Sequence, residues 1–234
     1  MKGRRLTMPL KVVNVAKEAA RLTEPFSLIE LAYVDYFAVD VFVCYGAVVW
    51  HKHIDQDELF FVQSGVMSLE TEWGNLKLGP GELAVVPKGV EHRSSSSLWS
   101  IVLLFQAKAL ADRGNGDRRI FALKGERQIE KVSVSAEAAR LLDYFEPSDL
   151  AYLDDFVVRL SLCHGESHWH KHDGRDEFLF VQEGVVELGT EDETVSVRAG
   201  EMTVVPRGTI HRLAPGDGAV VMLLERQVPI SGGR

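Results

Sequence analysis

The sequence predicts an all-β chain of two similar domains in tandem, each beginning with a short helix. A gapless internal repeat supports the duplication, because residues 12–106 match residues 131–225 at a constant offset of 119. Each copy is long enough to build its own core, so the repeat is a domain duplication and not a solenoid. The rest of each copy consists of short β-branched or aromatic runs separated by Gly and Pro, a pattern typical of a barrel or sandwich.

The repeat boundaries place the first domain at residues 10–108 and the second at 129–228. Residues 18–22 carry a helix signal, which recurs at 137–141, and strands follow it in both copies. Between the copies, residues 109–128 are expected to be a linker, since they contain a run of Asp, Arg, Gly and Asn that is typical of loops.

Composition excludes several classes of function. The formal net charge is −8 and no long basic run appears, so a nucleic-acid partner is not expected. The N-terminal residues lack the apolar run of a signal peptide, and no segment is apolar over the length of a membrane span. We therefore expect a cytoplasmic protein without membrane contact. Cys44 and Cys163 occupy equivalent repeat positions and are expected to be buried, reduced and inert.

The repeat preserves a set of metal-ligand residue types at fixed spacing. In both copies the order is H-x-H-x4-E-x6-G followed by G-x5-P-x-G-x2-H, and six of the eight histidines fall in these slots. Three imidazoles and one carboxylate form a ligand set for a divalent transition metal. The predicted ligands are His51, His53, Glu58 and His92 in the first copy, and His170, His172, Glu177 and His211 in the second.

The spacing explains how the ligands of one copy meet. A strand places residues two apart on the same face, so His51 and His53 are expected to enter one cavity. Glu58 begins the next strand, and a Gly-bounded strand over residues 82–86 leads into the turn of residues 87–89. Pro fixes one φ angle and Gly permits a positive one, which would direct His92 back to the same cavity.

These motifs resemble those of the cupin superfamily, in particular small cupins of the type W-H-K-H…D-E-L-F…V-P-K-G-x-x-H. The matching strings are W-H-K-H at residues 50–53, D-E-L-F at 57–60 and V-P-K-G-V-E-H at 86–92, with counterparts at 169–172, 176–179 and 205–211. The resemblance covers nearly the whole chain outside the linker and termini. It implies a double-stranded β-helix barrel per copy, with one divalent metal near each mouth. The ligand set does not distinguish Fe, Mn, Ni, Co, Cu and Zn.

The two copies differ beside their first ligand pair. If the strand continues without a bulge, strand alternation places Val49, Ala47 and Tyr45 on the cavity face of copy one. The same positions in copy two hold His168, Glu166 and His164. On this interpretation copy two carries the chemistry, with His168 and Glu166 as catalytic acid or base groups. The alternative is that Gly165 bulges the strand and exposes some of these side chains to solvent.

Three functions fit the predicted sites, each acting on or binding a small organic molecule. The first is an oxygen-dependent, dioxygenase-like oxidoreductase. The second is a redox-neutral isomerase or lyase of a sugar or organic acid, and the third is a non-catalytic binding module for a metal or small molecule. A tandem chain can satisfy the barrel pairing of single-domain cupins internally, so we expect a monomer, with a homodimer as the alternative.

Overall fold

The described residues form two β-sheets joined through a common core, in agreement with the predicted all-β tandem fold. A computed structural model describes residues 9–108 and 128–227, so almost the whole predicted linker lies outside the described residues. We call the eight-stranded sheet barrel one and the seven-stranded sheet barrel two. Each contains the strands of one sequence repeat, apart from one short strand that it receives from the other.

Barrel one consists of eight antiparallel strands. They are β2 (Leu28–Val34), β3 (Phe37–Ala47), β4 (Glu58–Ser64), β5 (Met67–Thr71), β6 (Gly74–Leu78), β7 (Glu82–Val86), β8 (His92–Ala107) and β9 (Lys131–Ser133). The strand order is β2-β3-β8-β4-β7-β9, and β5 pairs with β6 and β8, so the long strand β8 pairs with three neighbours.

Barrel two has the same arrangement with one strand fewer, because a single long strand replaces two strands of barrel one. Its strands are β1 (Val13–Asn14), β10 (Ser148–Leu153), β11 (Phe156–Cys163), β12 (Glu177–Thr190), β13 (Thr194–Arg198), β14 (Glu201–Val205) and β15 (His211–Arg226). The strand order is β1-β14-β12-β15-β11-β10, and β13 pairs with β12.

Each repeat contributes one short helix, which starts three residues before the predicted position. Helix α1 spans Val15–Ala19 and α2 spans Val134–Ala138. The side chains of Asn14 and Ser133 accept a hydrogen bond from the backbone N–H three residues later, which satisfies a free donor of the first turn. The sequence signal at residues 18–22 therefore marks the end of this helix and the turn after it.

The two halves exchange their first strands. Strand β1 precedes the first helix of repeat one yet pairs with β14 of barrel two, with Val13 opposite Met202. Strand β9 precedes the first helix of repeat two and pairs with β7 of barrel one, with Val132 opposite Leu83. Each sheet is therefore completed by a strand from the other half of the chain.

A continuous apolar core lies between the barrels and includes residues of both. Phe37 and Phe156 occupy equivalent repeat positions, are fully buried, and have ring centroids 4.2 Å apart. Phe61 also contacts Phe180, its own repeat counterpart, with centroids 5.4 Å apart. Two further apolar clusters fill the individual barrels, and each contains one of the buried, free cysteines. Burial raises the pKa of the Cys44 thiol to about 12 and that of Cys163 to about 11.

Candidate metal centres

In barrel one, the four predicted ligands converge on one point although they come from three separate segments. One side-chain ligand atom from each of His51, His53, Glu58 and His92 lies within 4.8 Å of all the others. The two carboxylate oxygens of Glu58 lie 3.3 Å from Nε2 of His53 and 3.0 Å from Nε2 of His92. This is the close convergence of N and O donors that a small divalent cation requires.

Barrel two repeats this geometry with its own four residues. His170, His172, Glu177 and His211 also place one ligand atom each within 4.8 Å of one another. The two carboxylate oxygens of Glu177 lie 3.4 Å from Nε2 of His172 and 3.0 Å from Nε2 of His211. The structure thus brings together all eight predicted ligands, in two clusters that each have the donors to hold one metal.

Backbone carbonyls fix the orientation of four of the six imidazoles. The Nδ1–H of His51 donates to the carbonyl of Val49 over 2.8 Å, and His92 donates in the same way to Val90 over 3.0 Å. His170 and His211 make the equivalent bonds to residues 168 and 209. A proton held at Nδ1 leaves the Nε2 lone pair free for a metal, an arrangement typical of metal-binding histidines.

The polar atoms of the clusters fit a cation better than they fit one another. Glu58 Oε2, His92 Nε2 and His172 Nε2 are buried, and no hydrogen bond from the described part of the chain satisfies them. A buried polar atom without a partner is destabilising, and one divalent cation in each cluster would satisfy these atoms. Burial opposes charge on these groups, yet the clustered imidazoles lower the pKa of Glu177 to about 2. Burial alone would lower the pKa of His211, and the Glu177 carboxylate raises it above its usual value.

The local backbone explains how the last histidine reaches each cluster. Gly89 has a φ of 85°, and its N–H donates to the carbonyl of His53 over 2.6 Å. His92 and His51 then exchange backbone hydrogen bonds of 2.8 and 3.0 Å in an isolated bridge. The turn of residues 87–89 therefore connects two ligand segments directly, and Gly208 makes the same bond to His172.

The aspartate before each ligand glutamate connects its site to the other barrel. Asp57 accepts from the N–H of Lys88 over 2.9 Å and from the N–H of Asp154 of the opposite barrel over 2.6 Å. Lys88 Nζ in turn donates to Asp154 over 2.8 Å. Asp176 accepts equivalent bonds from the N–H groups of Arg207 and Asp35. The loop that carries each glutamate is thus held from both barrels.

The predicted row of ionisable side chains beside His170 is not formed. Strand β11 ends at Cys163, and Gly165 adopts a φ of 75°, so strand alternation does not extend through residues 164–168. His164 lies against the ring of Tyr144, at a centroid distance of 5.2 Å and away from the cluster. The strand thus ends before Gly165, and His164, Glu166 and His168 are exposed, as the alternative expected; in barrel one, β3 continues past a register shift between Cys44 and Gly46.

His168 and Glu166 end on different sides of the barrel-two wall. His168 is exposed but lines a cavity that it shares with His170 and Glu177. Glu166 pairs with Arg212, whose guanidinium lies 5.0 Å from the centre of the Trp169 ring on the outer face. The structure therefore places His168, and not Glu166, among the residues that line this cavity.

The two barrels differ in the space beside the cluster. Barrel two has a cavity of about 340 Å³ whose mostly apolar wall includes Leu213, Val221 and Leu223. Buried Ser161 also lines it, where the equivalent position of barrel one holds Phe42. The ring of Phe42 packs beside those of Phe26 and Phe60, with centroid distances of 6.1 and 6.4 Å. Aromatic side chains thus occupy in barrel one a position that in barrel two is open.

The cavity also contains a group of charged residues that the sequence analysis did not predict. Arg159, Arg175 and Glu225 line it, and both arginines pair with the glutamate. They lie on three different segments, so alternation along the ligand strand alone does not find them. A comparison of the two copies at the offset of 119 would have found them, because their counterparts are Asp40, Gln56 and Gln106.

Comparison with known proteins identifies the fold of the whole chain. A structure described as a cupin 2 conserved barrel domain protein from Leptotrichia buccalis has a TM-score of 0.70 at 10% identity, and the match covers 94% of this chain and 98% of that one. Salicylate 1,2-dioxygenase from Pseudaminobacter salicylatoxidans has a TM-score of 0.69 at 11% identity, covering 93% and 84%. A mutant of that dioxygenase in complex with gentisate has the same TM-score, at 11% identity and with 93% and 82% covered. At these identities the likeness concerns the fold alone.

A sequence relative covers only part of the chain. The uncharacterized protein YdbB of Bacillus subtilis (strain 168) is 36% identical over 64 residues, which are 27% of this chain and 57% of that protein. Within residues 9–108 and 128–227, neither helix has the length and apolar character to cross a membrane.

The family itself is identified by two matches to one sequence model. The model describes a cupin domain and matches residues 45–96 and 160–224, which together make up half of the chain. Each match contains all four ligands of one cluster and falls within one of the two repeats. The chain therefore belongs to the cupin family and carries two cupin domains in tandem.

Proposed function

We propose that this protein is a metal-dependent, oxygen-using oxidoreductase that acts on a small organic molecule in the cavity of barrel two. The observation that carries the proposal is the 340 Å³ cavity beside the His170, His172, Glu177 and His211 cluster. A cavity that combines an apolar wall with converging polar groups is the usual form of a small-molecule site. The fold likeness to salicylate 1,2-dioxygenase is compatible with this chemistry but does not select it, because one fold supports many reactions.

The ligands, His168 and the apolar wall of the cavity each have a defined task in this proposal. Three imidazoles and one carboxylate would hold one divalent metal, which supplies one or two open positions for substrate or oxygen when bound. His168 lies at the exposed rim and would take a proton from the substrate as a general base. The apolar wall formed by Leu213, Val221 and Leu223 would exclude water from the reacting groups. Glu166 has no part in this scheme, since its carboxylate pairs with Arg212 on the outer face.

Barrel one is assigned a structural or small-ligand role beside its own metal. Val49 stands where barrel two has His168 and is 78% exposed, and Phe42 stands where barrel two has Ser161. This barrel therefore offers neither a base at the equivalent position nor the same open space. A cytoplasmic location and a monomeric state stay predictions from the sequence.

A second function is favoured by a different observation. Arg159 and Arg175 line the cavity, and guanidinium groups suit the anionic substrates of redox-neutral isomerases and lyases. A bound metal would then serve as a Lewis acid without electron transfer.

Oxygen consumption tests the choice between these functions. The full chain, loaded with iron, manganese, cobalt, nickel or copper, is assayed with a panel of small aromatic and aliphatic acids while dissolved oxygen and products are measured. Oxygen uptake that matches product formation supports the oxidoreductase, whereas turnover with constant oxygen supports the isomerase or lyase. Binding without any turnover across the panel would favour the non-catalytic module and contradict the proposal.

The role of His168 is tested by a variant with a matched control in the other barrel. The H168V change introduces the residue that barrel one carries, and it should abolish turnover while elemental analysis still finds the wild-type metal content. The control change V49T, at the equivalent position of barrel one, should leave turnover unchanged. Full activity of the H168V variant would remove His168 from the mechanism.

A further inference from the structure

We infer that the barrel-two cavity binds the carboxylate group of its substrate, with Arg175 as the binding residue and Arg159 and Glu225 as its positioning partners. This inference rests on the proposed function, which places the substrate in the same cavity. It adds the chemical class of the substrate, a small organic acid, and the residue that selects it.

The first support is a change of charge at three equivalent positions of the repeat. Barrel one has Asp40, Gln56 and Gln106, which together carry one negative formal charge. Barrel two has Arg159, Arg175 and Glu225, which carry two positive charges and one negative charge. The same backbone positions are thus uncharged or acidic in one barrel and mainly basic in the other.

The second support is the position of these residues relative to the metal cluster. Glu225 on β15 is the cross-strand partner of the ligand Glu177 on β12. Cross-strand partners project from the same face of a sheet, so the charged group lies directly beside the ligand. Glu225 is 3% exposed, and two neighbouring carboxylates at this depth need positive compensation. Arg159 and Arg175 provide it from two sides of Glu225.

The third support is a donor of Arg175 that no protein group uses. Its Nη2 lies 2.5 Å from Glu225, and its Nη1 donates to the carbonyl of Arg226 over 3.5 Å. Its Nε is buried and has no hydrogen-bond partner among the residues that the structure describes. Arg159, in contrast, contacts two carboxylates, those of Glu225 and, over 2.6 Å, Asp149. Arg175 therefore retains binding capacity, while Arg159 holds Glu225 in place.

The equivalent residues of barrel one already satisfy each other. Gln106 donates to Asp40 over 3.0 Å, and Gln56 donates to Gln106 over 3.1 Å. The negative charge of Asp40 would repel an anion, and Phe42 occupies the adjoining space. We therefore expect one carboxylate site per chain, although each chain has two metal clusters.

A carboxylate fits this site better than other anions. The guanidinium is planar and presents parallel donors that match the two oxygens of a carboxylate. The apolar side chains of Leu213, Val221 and Leu223 line another part of the cavity and suit the hydrocarbon part of an organic acid, which inorganic phosphate lacks.

Isothermal titration of the zinc-loaded full chain tests the inference. Zinc does not change oxidation state, so binding is measured without turnover. We expect benzoate to bind at one site per chain, and benzamide and inorganic phosphate to bind at least about 10-fold more weakly. The R175Q variant introduces the residue of barrel one and should weaken benzoate binding by roughly 10- to 100-fold, the range for loss of a charge-assisted hydrogen bond. The matched change Q56A in barrel one should leave benzoate binding unchanged.

A second variant separates the donor from charge compensation. The R175K change keeps the positive charge beside Glu225 but removes the planar fork and its Nε donor, so it should also weaken benzoate binding. Equal benzoate affinity of wild type and R175Q would overturn the inference, as would tighter binding of phosphate or no binding of benzoate to the wild type. Benzoate binding through Arg175 without oxygen uptake in the turnover assay would contradict the oxidoreductase alone and leave this inference standing.

Discussion

The shared core predicts that damage to one barrel destabilises the other. Phe156 belongs to barrel two, but its ring packs 4.2 Å from that of Phe37 in barrel one, and neither is exposed. Truncation of a fully buried Phe to Ala lowers the free energy of unfolding by about 3–5 kcal/mol. This is a large part of the 5–15 kcal/mol that a domain usually has. Because the cavity would open at the contact between the barrels, we expect both to lose stability in F156A.

The contact itself is measured by a double-mutant cycle. Packed aromatic pairs contribute about 0.5–1.5 kcal/mol beyond their buried area. The coupling between F37L and F156L should therefore fall in this range, and it isolates the pair from the general effect of a smaller side chain.

Tryptophan fluorescence reports on the two barrels separately in urea unfolding. Trp50, Trp73 and Trp99 lie in barrel one, and Trp169 is the fourth tryptophan of the chain. In a W169F background all tryptophan signal comes from barrel one. F156A should then lower the unfolding midpoint of that signal, and circular dichroism should show a single transition at the same midpoint. A barrel-one midpoint that stays unchanged while circular dichroism shows a separate early transition would refute the shared core as a cooperative unit.

Three further predictions follow from the two sites. Metal loading followed by elemental analysis should approach two ions per chain and fall toward one in a H51A/H53A variant, and a wild-type limit of one would show that one cluster does not bind. The S161F change introduces the Phe42 of barrel one into barrel two, so it should abolish benzoate binding in titrations while two metals stay bound; unchanged binding would show that this side chain does not border the ligand. Burial raises the pKa of Asp40 and the hydrogen bond from Gln106 offsets this only in part, so the charged form destabilises the fold. D40N should therefore raise the melting temperature at pH 7, and the gain should shrink as the pH falls through the raised pKa toward 3.8; a gain independent of pH would exclude this cause.

Much of the fold followed from the repeat and from local patterns. The Gly-bounded strand over residues 82–86 is β7, and the strand predicted to begin at Glu58 is β4. All eight proposed ligands come together, although the first two of each copy lie outside the named strands, with His51 and His170 in isolated β-bridges. The Pro-Gly turn that returns the last histidine to the cluster is a local property that the sequence shows. The cupin resemblance supplied the barrel topology, which local patterns do not contain.

The features that were not predicted depend on contacts distant in sequence. Strand β1 has two residues, and its partner Met202 lies in the other half of the chain, so no turn or periodicity signals the pairing. Strand alternation does not reach residues 164–168, because β11 ends at Cys163 and Gly165 has a positive φ, and the sequence shows only that Gly permits such an angle.

The exchange of first strands means that neither repeat is a complete folding unit. A polypeptide cut within the linker would yield an N-terminal piece whose β7 has lost its neighbour β9, and a C-terminal piece whose β14 has lost β1. Each piece would present an open sheet edge and the apolar side chains that faced the other, which favours aggregation. Mixed together, however, each piece holds the strand that the other lacks, so the two should reassemble by complementation into one non-covalent particle. The same exchange between two intact chains would give a domain-swapped dimer without any new type of contact.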